Sequence, residues 1–124
     1  MKINKSENCG NSPKNIFIEQ FVIELFQKSN LAEKVDENIF VELAYMQRKI
    51  GFNEFYLGSI IEEEIMEVFI YDAISHGKKG AVDLEVITLN NNIINFGFFL
   101  EFKSLKADKI SYIKIFKNKY EKES

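Results

Sequence analysis

Three charged residues near the ends of two apolar segments are the residues of this sequence best placed to do chemistry. Asp83 lies early in the segment AVDLEVITL (81–89), whereas Glu101 and Lys103 lie at the end of the segment IINFGFFLEFK (93–103). Two carboxylates that face each other across a hairpin can share a cation, but the same residues spread along a sheet edge form a solvated rim with a cross-strand ion pair. Hairpin register decides between these two alternatives.

The two segments, joined by three consecutive asparagines at 90–92, predict a β-hairpin. Alternation along each strand predicts one wholly apolar face that must be buried, and a second face that carries the charges. If the turn is centred on Asn91, Asp83 lies opposite Phe99 and Glu101 is its diagonal neighbour, about 7–8 Å away. A slip of one residue would place the two carboxylates on opposite faces of the sheet.

The arrangement of Asp83 followed by Glu101-x-Lys103 at the end of an apolar strand resembles the PD-(D/E)XK nuclease superfamily over about residues 59–122. The resemblance implies a Mg²⁺- or Mn²⁺-dependent nuclease that hydrolyses phosphodiester bonds in nucleic acid. It also implies that Asp83 and Glu101 hold the metal, that Glu64 of the run Glu62-Glu63-Glu64 adds a ligand, and that Lys103 positions or activates the attacking water.

This sequence departs from that nuclease pattern in two places. Val82 stands where the family has the proline of its name, and little chain follows Lys103 to supply the helix and strand that normally continue the fold. Of the other residue types used in catalysis, the chain has one histidine, His76, which precedes a glycine and is typical of a turn.

Composition bounds the domain count and the class of protein. The 124 residues are 46% hydrophobic, enough for one domain with a core, and the net charge of −3 provides no overall basic surface for nucleic acid. The single cysteine, Cys9, excludes an internal disulfide and favours a reducing compartment, so we expect a cytoplasmic protein. No apolar run is long enough to span a membrane.

Residues 1–11 are polar and predict a disordered tail, which leaves residues 12–124 as a single α+β domain. Ser12-Pro13 is typical of a helix start, and apolar spacing predicts a helix over 13–29. Caps and charge placement favour a second helix over 36–50, although alternation at Val41 and Leu43 would also suit a strand. The segment 60–77 predicts a helix that breaks into a strand near Glu67, and 109–118 suits either a helix or a strand.

The predicted fold is therefore α+β, with N-terminal helices packed on a small, hairpin-centred, mainly antiparallel sheet and an optional C-terminal helix. Besides the nuclease, two functions stay open. Small size, a pI near 5.3 and many aromatic residues suit a non-catalytic acidic module that binds a protein, of the immunity or inhibitor type. Leading helices, a late sheet and the segment ADKISYIKIF (107–116) resemble the NTF2-like/SnoaL-like families, which implies a cone-shaped pocket for a small ligand. Uncovered apolar faces of a small sheet would also suit a homodimer.

Overall fold

The structure is a computed structural model, and it describes residues 1–7, 12–27, 31–36, 39–57, 61, 63–105 and 109–121. Cys9, Glu62 and residues 28–29 of the predicted first helix lie outside this described part. No helix within it is long and apolar enough to cross a membrane.

Seven strands form one mixed sheet in the order β1-β4-β5-β6-β7-β2-β3. β1 pairs with β4 and β2 pairs with β7 in parallel, and the other neighbours are antiparallel. The strands are β1 (Lys2–Lys5), β2 (Phe40–Leu43), β3 (Arg48–Gly51), β4 (Ile65–His76), β5 (Lys79–Thr88), β6 (Asn92–Phe102) and β7 (Ile110–Glu121), and the α-helices are α1 (Pro13–Phe26) and α2 (Phe52–Leu57).

Helix α1 begins where the sequence predicts. Ser12 has an extended backbone, its side chain accepts a hydrogen bond from the Asn15 backbone N–H at 3.2 Å, and Pro13 opens the first turn. Along one side of the helix, Ile18, Phe21 and Val22 are fully buried. This stripe packs against β4 and β5, so α1 covers one face of the sheet, called the inner face below.

The inner face carries the core. Alternate residues of the long strands point into it and are almost fully buried, and the rings of Phe96 and Phe98 on β6 both meet the ring of Phe26 on α1 edge to face. The centroid distances of 5.5 and 6.0 Å are typical of favourable aromatic pairs. The opposite face, called the outer face below, has no buried residue among the described positions of β4 to β6.

The predicted architecture is wrong because the chain is mostly sheet. Residues 36–50, expected as a helix, contain β2, a 3₁₀ turn over Ala44–Met46 and β3. Gln47 has a φ of 50°, which lets the chain reverse after the turn. Val41 and Leu43 alternate into the core while β2 pairs with β7, which lies far away in sequence. This distant partner outweighs the local helix signals.

Three further segments are also strands. β4 begins at Ile65, two residues before the predicted change near Glu67, and residues 61, 63 and 64 are not helical. The ambiguous segment 109–118 is a strand from residue 110 onward and belongs to β7, which lies between β6 and β2. Residues 2–5 of the predicted tail form the edge strand β1, paired with β4. The sheet is therefore much larger than a hairpin-centred one.

The predicted hairpin is confirmed as β5 and β6, but its register differs from the expected one. Thr88 accepts a backbone hydrogen bond from Asn91 at 3.0 Å, and Asn91 has a φ of 62°. A three-residue turn that ends in a left-handed residue is a common hairpin connection. It centres the hairpin on Asn90, so Asp83 pairs with Gly97 rather than with Phe99.

Candidate functional site

The two-residue register change separates the predicted site residues although they keep the same face. Asp83 and Glu101 both lie on the outer face, but Glu101 is four residues along β6 from Gly97, the partner of Asp83. At about 3.3 Å per residue this is a separation of about 13 Å along the strand. Asp83 instead accepts a hydrogen bond from Asn95 Nδ2 at 3.0 Å.

The other predicted site residues have separate neighbours. Glu101 lies 3.8 Å from Lys79 Nζ, and Lys103 Nζ lies 3.3 Å from Asp36 Oδ1. Glu64 is exposed beside the β5–β6 turn, where its carbonyl accepts a hydrogen bond from the Leu89 N–H, so it lies at the far end of the hairpin from Glu101. Within the described residues, no three His, Cys, Asp or Glu side chains are grouped so that they could hold a metal ion.

A different polar cluster lies on the inner side of the sheet, under α1. Asn15 donates from Nδ2 to the Ala73 carbonyl at 3.0 Å, and its Oδ1 accepts from the Ser75 hydroxyl at 2.5 Å. Asn15 is 9% exposed, so these bonds satisfy a buried amide. The first turn of α1 is thereby attached to the end of β4.

One turn further along α1, Glu19 is buried with incomplete partners. Its side chain is 3% exposed, and its Oε2 atom lies 3.5 Å from Lys5 Nζ on β1. The other oxygen, Oε1, is buried and has no hydrogen-bond donor within the described part of the chain. Buried carboxylates are normally paired and hydrogen-bonded on both oxygens. Glu19 Oε1 is therefore a buried, unsatisfied hydrogen-bond acceptor in the described interior.

Glu19 is not among the site residues predicted from the sequence, although the sequence carries a signal for it. Residues 15, 19, 22 and 26 recur at helical spacing, so Glu19 lies on the same stripe as Val22 and Phe26. A carboxylate within an apolar stripe predicts either a buried ion pair or a ligand contact. Its lysine partner is on β1, within the segment expected to be a disordered tail, and this pairing is visible only in the folded chain.

On the outer face, Tyr112 of β7 donates a hydrogen bond from its hydroxyl to the Glu42 carboxylate of β2. This bond is the main reason that the pKa of Tyr112 is raised to about 12, with desolvation and the negative charge of Glu42 adding to it. The same bond lowers the pKa of Glu42. The pair links the side chains of β2 and β7, which are parallel neighbours in the sheet.

Removing the charge of Glu42 should release Tyr112. We expect Glu42→Gln to lower the pKa of Tyr112 from about 12 toward 10.0, measured as the ultraviolet absorbance titration that disappears in Tyr112→Phe. Because the folded pKa of Tyr112 is raised, the stability linked to its proton is complete below pH 10 and is lost as the pH rises through about 12. Because the folded pKa of Glu42 is lowered, the contribution of the pair is also lost in acid, as Glu42 becomes protonated. Glu85→Gln, which removes the equivalent partner of Tyr71, should leave the titration of Tyr112 unchanged. An unchanged Tyr112 titration in Glu42→Gln would contradict this account.

Comparison with known proteins identifies the fold. No model of a protein family matches the sequence, and no curated protein matches it. Among solved structures, an NTF2-like protein of unknown function from Burkholderia xenovorans LB400 has a TM-score of 0.64 at 11% identity and covers 91% of each chain. A protein from Kribbella flavida DSM 17836 has a TM-score of 0.61 at 9% identity, covering 83% of this chain and 84% of that one.

A third solved structure, an NTF2-like protein of unknown function from Mesorhizobium loti, has a TM-score of 0.54 at 10% identity and covers 95% of this chain and 99% of that one. The PD-(D/E)XK nuclease interpretation is therefore wrong, because the sheet order and helix placement are those of another fold and the described acidic residues form no metal-binding group. The second resemblance drawn from the sequence is confirmed for the architecture: this chain has the NTF2-like fold.

Proposed function

We propose that this chain is a small-molecule-binding protein whose ligand lies between α1 and the inner face of the sheet, beside Glu19. The proposal rests on the buried Oε1 atom of Glu19, which lacks a hydrogen-bond donor in the described part of the chain. A buried acceptor without a donor costs about 1–3 kcal/mol, and more when it is charged. A ligand hydroxyl or amide N–H would remove that cost on binding. The NTF2-like resemblance, which implies a pocket between helices and sheet, supports this location.

The charge at the site favours a neutral ligand. Lys5 Nζ lies 3.5 Å from Glu19 Oε2, so one positive and one negative charge already balance. A cationic ligand would add a charge without a partner to a poorly solvated region, at high cost. Ile18 and Val22, the buried neighbours of Glu19 on α1, are apolar. The ligand class that fits is a compact apolar molecule with one hydroxyl or amide donor.

Access to Glu19 would be from the β1 edge of the sheet. The side chain of Lys5 is 51% exposed, whereas that of Glu19 is 3% exposed, so the ion pair runs from the surface to the interior. β1 is an edge strand of four residues, and short edge strands open locally at lower free energy than central strands. Outward movement of β1 or of the Lys5 side chain would therefore expose the free oxygen.

A matched fragment series tests the proposal. Phenol and cyclohexanol carry the donor, and toluene and methylcyclohexane have similar shapes without it. At about ten times its Kd, a bound fragment stabilises the folded state by about 1.4 kcal/mol. For a domain of this size that raises the Tm by about 5 °C. We expect this increase with the alcohols in the wild type, and no increase in Glu19→Met, which removes the acceptor.

Glu24→Met, on the same helix but at a carboxylate paired with Lys34 near the surface, should keep the response to the alcohols. Chemical-shift changes near α1 in nuclear magnetic resonance spectra should accompany the increase in Tm. Equal responses to the alcohols and the hydrocarbons, or equal responses of wild type and Glu19→Met, would contradict a hydrogen bond to Glu19.

A further inference from the structure

A hollow of about 270 Å³ lies beside β7, at the point where β2 ends. β2 pairs with β7 only from Val41 to Leu43, and the chain then continues in the 3₁₀ turn Ala44–Met46. β7 continues beyond this point to Glu121, paired on its other side with β6. The hollow, called the β7 hollow below, lies between the turn and the continuing strand. Six residues line it: Ala44, Tyr45, Asn95, Phe116, Lys117 and Asn118.

Two aromatic rings line the β7 hollow. Tyr45 of the turn is 39% exposed, and Phe116 of β7 is 47% exposed. Phenylalanine is among the residues most often buried, so a half-exposed ring beside a hollow is an informative feature. Aromatic side chains on a protein surface are the platforms on which nucleobases stack. The two rings therefore suit a flat, unsaturated ligand.

Two asparagine amides give the β7 hollow a polar side. Asn95 on β6 and Asn118 on β7 are directly opposite each other in the strand pairing. Asn95 donates from Nδ2 to Asp83 Oδ1 at 3.0 Å and to the Leu84 carbonyl at 2.9 Å. These two bonds use both of its N–H groups, so Asn95 offers a ligand only its Oδ1 acceptor. Asn118 is exposed, and its amide offers one acceptor and one donor side by side.

Two acceptor oxygens and one donor match a nucleobase with an exocyclic amino group. The amino group has two N–H groups, so it can donate to Asn95 Oδ1 and to Asn118 Oδ1 on the neighbouring strand, about 5 Å away. A ring nitrogen next to the amino group, such as N7 of adenine, accepts from Asn118 Nδ2, which is the usual pairing of an asparagine amide with adenine. Hypoxanthine, which has a carbonyl in place of this amino group, would turn an acceptor toward the two oxygens.

Positive charge lies beside both rings. Lys117 Nζ is 5.3 Å from the centre of the Tyr45 ring, and Lys114 Nζ is 5.3 Å from the centre of the Phe116 ring. Glu42, opposite Lys114 on β2, carries one negative charge against these two positive ones. A phosphate attached to a stacked base would therefore be attracted to this side of the hollow. Sites for single-stranded nucleic acid combine cations and aromatic side chains in the same way.

We propose that the β7 hollow binds a nucleotide whose base carries an exocyclic amino group, with the base against the two rings and the phosphate toward the two lysines. The volume suits one base, because pockets for whole drug-sized ligands have about 300–1,000 Å³. Ribose and phosphate then lie at the surface. This site is separate from the proposed ligand site, because Glu19 pairs with Lys5 of β1, and three strands separate β1 from β7 in the sheet.

AMP and IMP are a matched pair of probes, since they differ only by the amino group and the carbonyl at position 6 of the base. In nuclear magnetic resonance titrations of isotope-labelled protein, we expect AMP to shift signals of Tyr45, Phe116 and Asn118 with a Kd of about 1 mM or lower. IMP should bind at least about fivefold more weakly, because it lacks the two N–H donors. Equal affinities for AMP and IMP would overturn the amino-group recognition.

Three variants test the residues of the site. Phe116→Ala should raise the Kd for AMP at least about fivefold, because it removes a stacking surface. Asn118→Ala should remove most of the preference for AMP over IMP. Phe40→Ala is the matched control, because Phe40 is an exposed ring on β2 that does not line the β7 hollow, and it should leave the Kd for AMP within about twofold of the wild type. Circular dichroism should confirm that all three variants are folded.

A fluorescent oligoadenylate distinguishes a free nucleotide from single-stranded RNA as the source of the base. Fluorescence anisotropy that gives a Kd at least about tenfold below that of AMP, and that weakens with added salt, would support the site and identify RNA. A Kd per base equal to that of AMP would support the site and identify the free nucleotide. No shift at the β7 hollow with AMP at about ten times the expected Kd, or equal losses in Phe116→Ala and Phe40→Ala, would overturn the proposal.

Discussion

Replacing Phe98 by alanine is expected to lower the free energy of unfolding by about 3–5 kcal/mol, the largest effect of any single substitution considered. Phe98 is 1% exposed, and its ring contacts those of Phe26 and Phe96 at centroid distances of 6.0 and 5.9 Å. Removal of the ring leaves a cavity between α1 and the middle of the sheet. Because small domains are stable by about 5–15 kcal/mol, this is a large fraction of the total.

Urea denaturation followed by circular dichroism measures the Phe98 effect. The midpoint should fall while the slope stays constant, because a cavity changes stability more than the surface exposed on unfolding. Phe99→Ala, one residue along β6 on the outer face, is the matched control and should cost less than about 1 kcal/mol, because Phe99 is 47% exposed. Similar losses at the two positions would contradict the assignment of inner and outer faces.

Replacing Glu19 by methionine is expected to raise the free energy of unfolding by about 1–3 kcal/mol while it removes the proposed ligand contact. Exchange of a buried ion pair for apolar side chains is often stabilising, because the desolvation cost of the charges is removed. Here the Lys5 side chain is half exposed, so its ammonium group can be hydrated when the pair is broken. The Glu19 carboxylate is buried, and its Oε1 atom has no hydrogen-bond donor in the described part of the chain. A residue that costs stability and contributes to binding is typical of a functional site.

The partner variant should have the opposite sign. Lys5→Met leaves the buried carboxylate without its cation and should lower stability by about 1–2 kcal/mol, the loss being limited by the solvent exposure of Lys5. The double variant should resemble Glu19→Met alone, and the non-additivity measures the coupling of the pair. At the surface pair of Glu24 and Lys34, Glu24→Met should change stability by less than about 0.5 kcal/mol. A loss of stability in Glu19→Met would instead identify the carboxylate as a structural residue.

The sequence by itself determined the elements whose signals are local. Ser12 and Pro13 mark the start of α1 because a cap and a proline act within one turn of helix. The alternation of β5 and β6 identified the buried face of the hairpin, since Leu84, Phe96 and Phe98 are all buried. The order of the segments also suggested an NTF2-like architecture, and the fold supports that resemblance.

Only the tertiary structure decided the elements whose partners are far away. The segment 36–50 contains β2 and β3, and most of the segment 109–118 lies in β7. β7 forms hydrogen bonds with β2 and with β6, and local propensity does not report strand partners that are distant in sequence. The left-handed Asn91 set the register that separates Asp83 from Glu101, and a shift of two residues left the alternation unchanged. The pairing of Glu19 with Lys5 depends in the same way on β1 joining the sheet beside β4. Periodicity indicates which face a residue occupies, whereas the distance between two residues follows from packing over the whole chain.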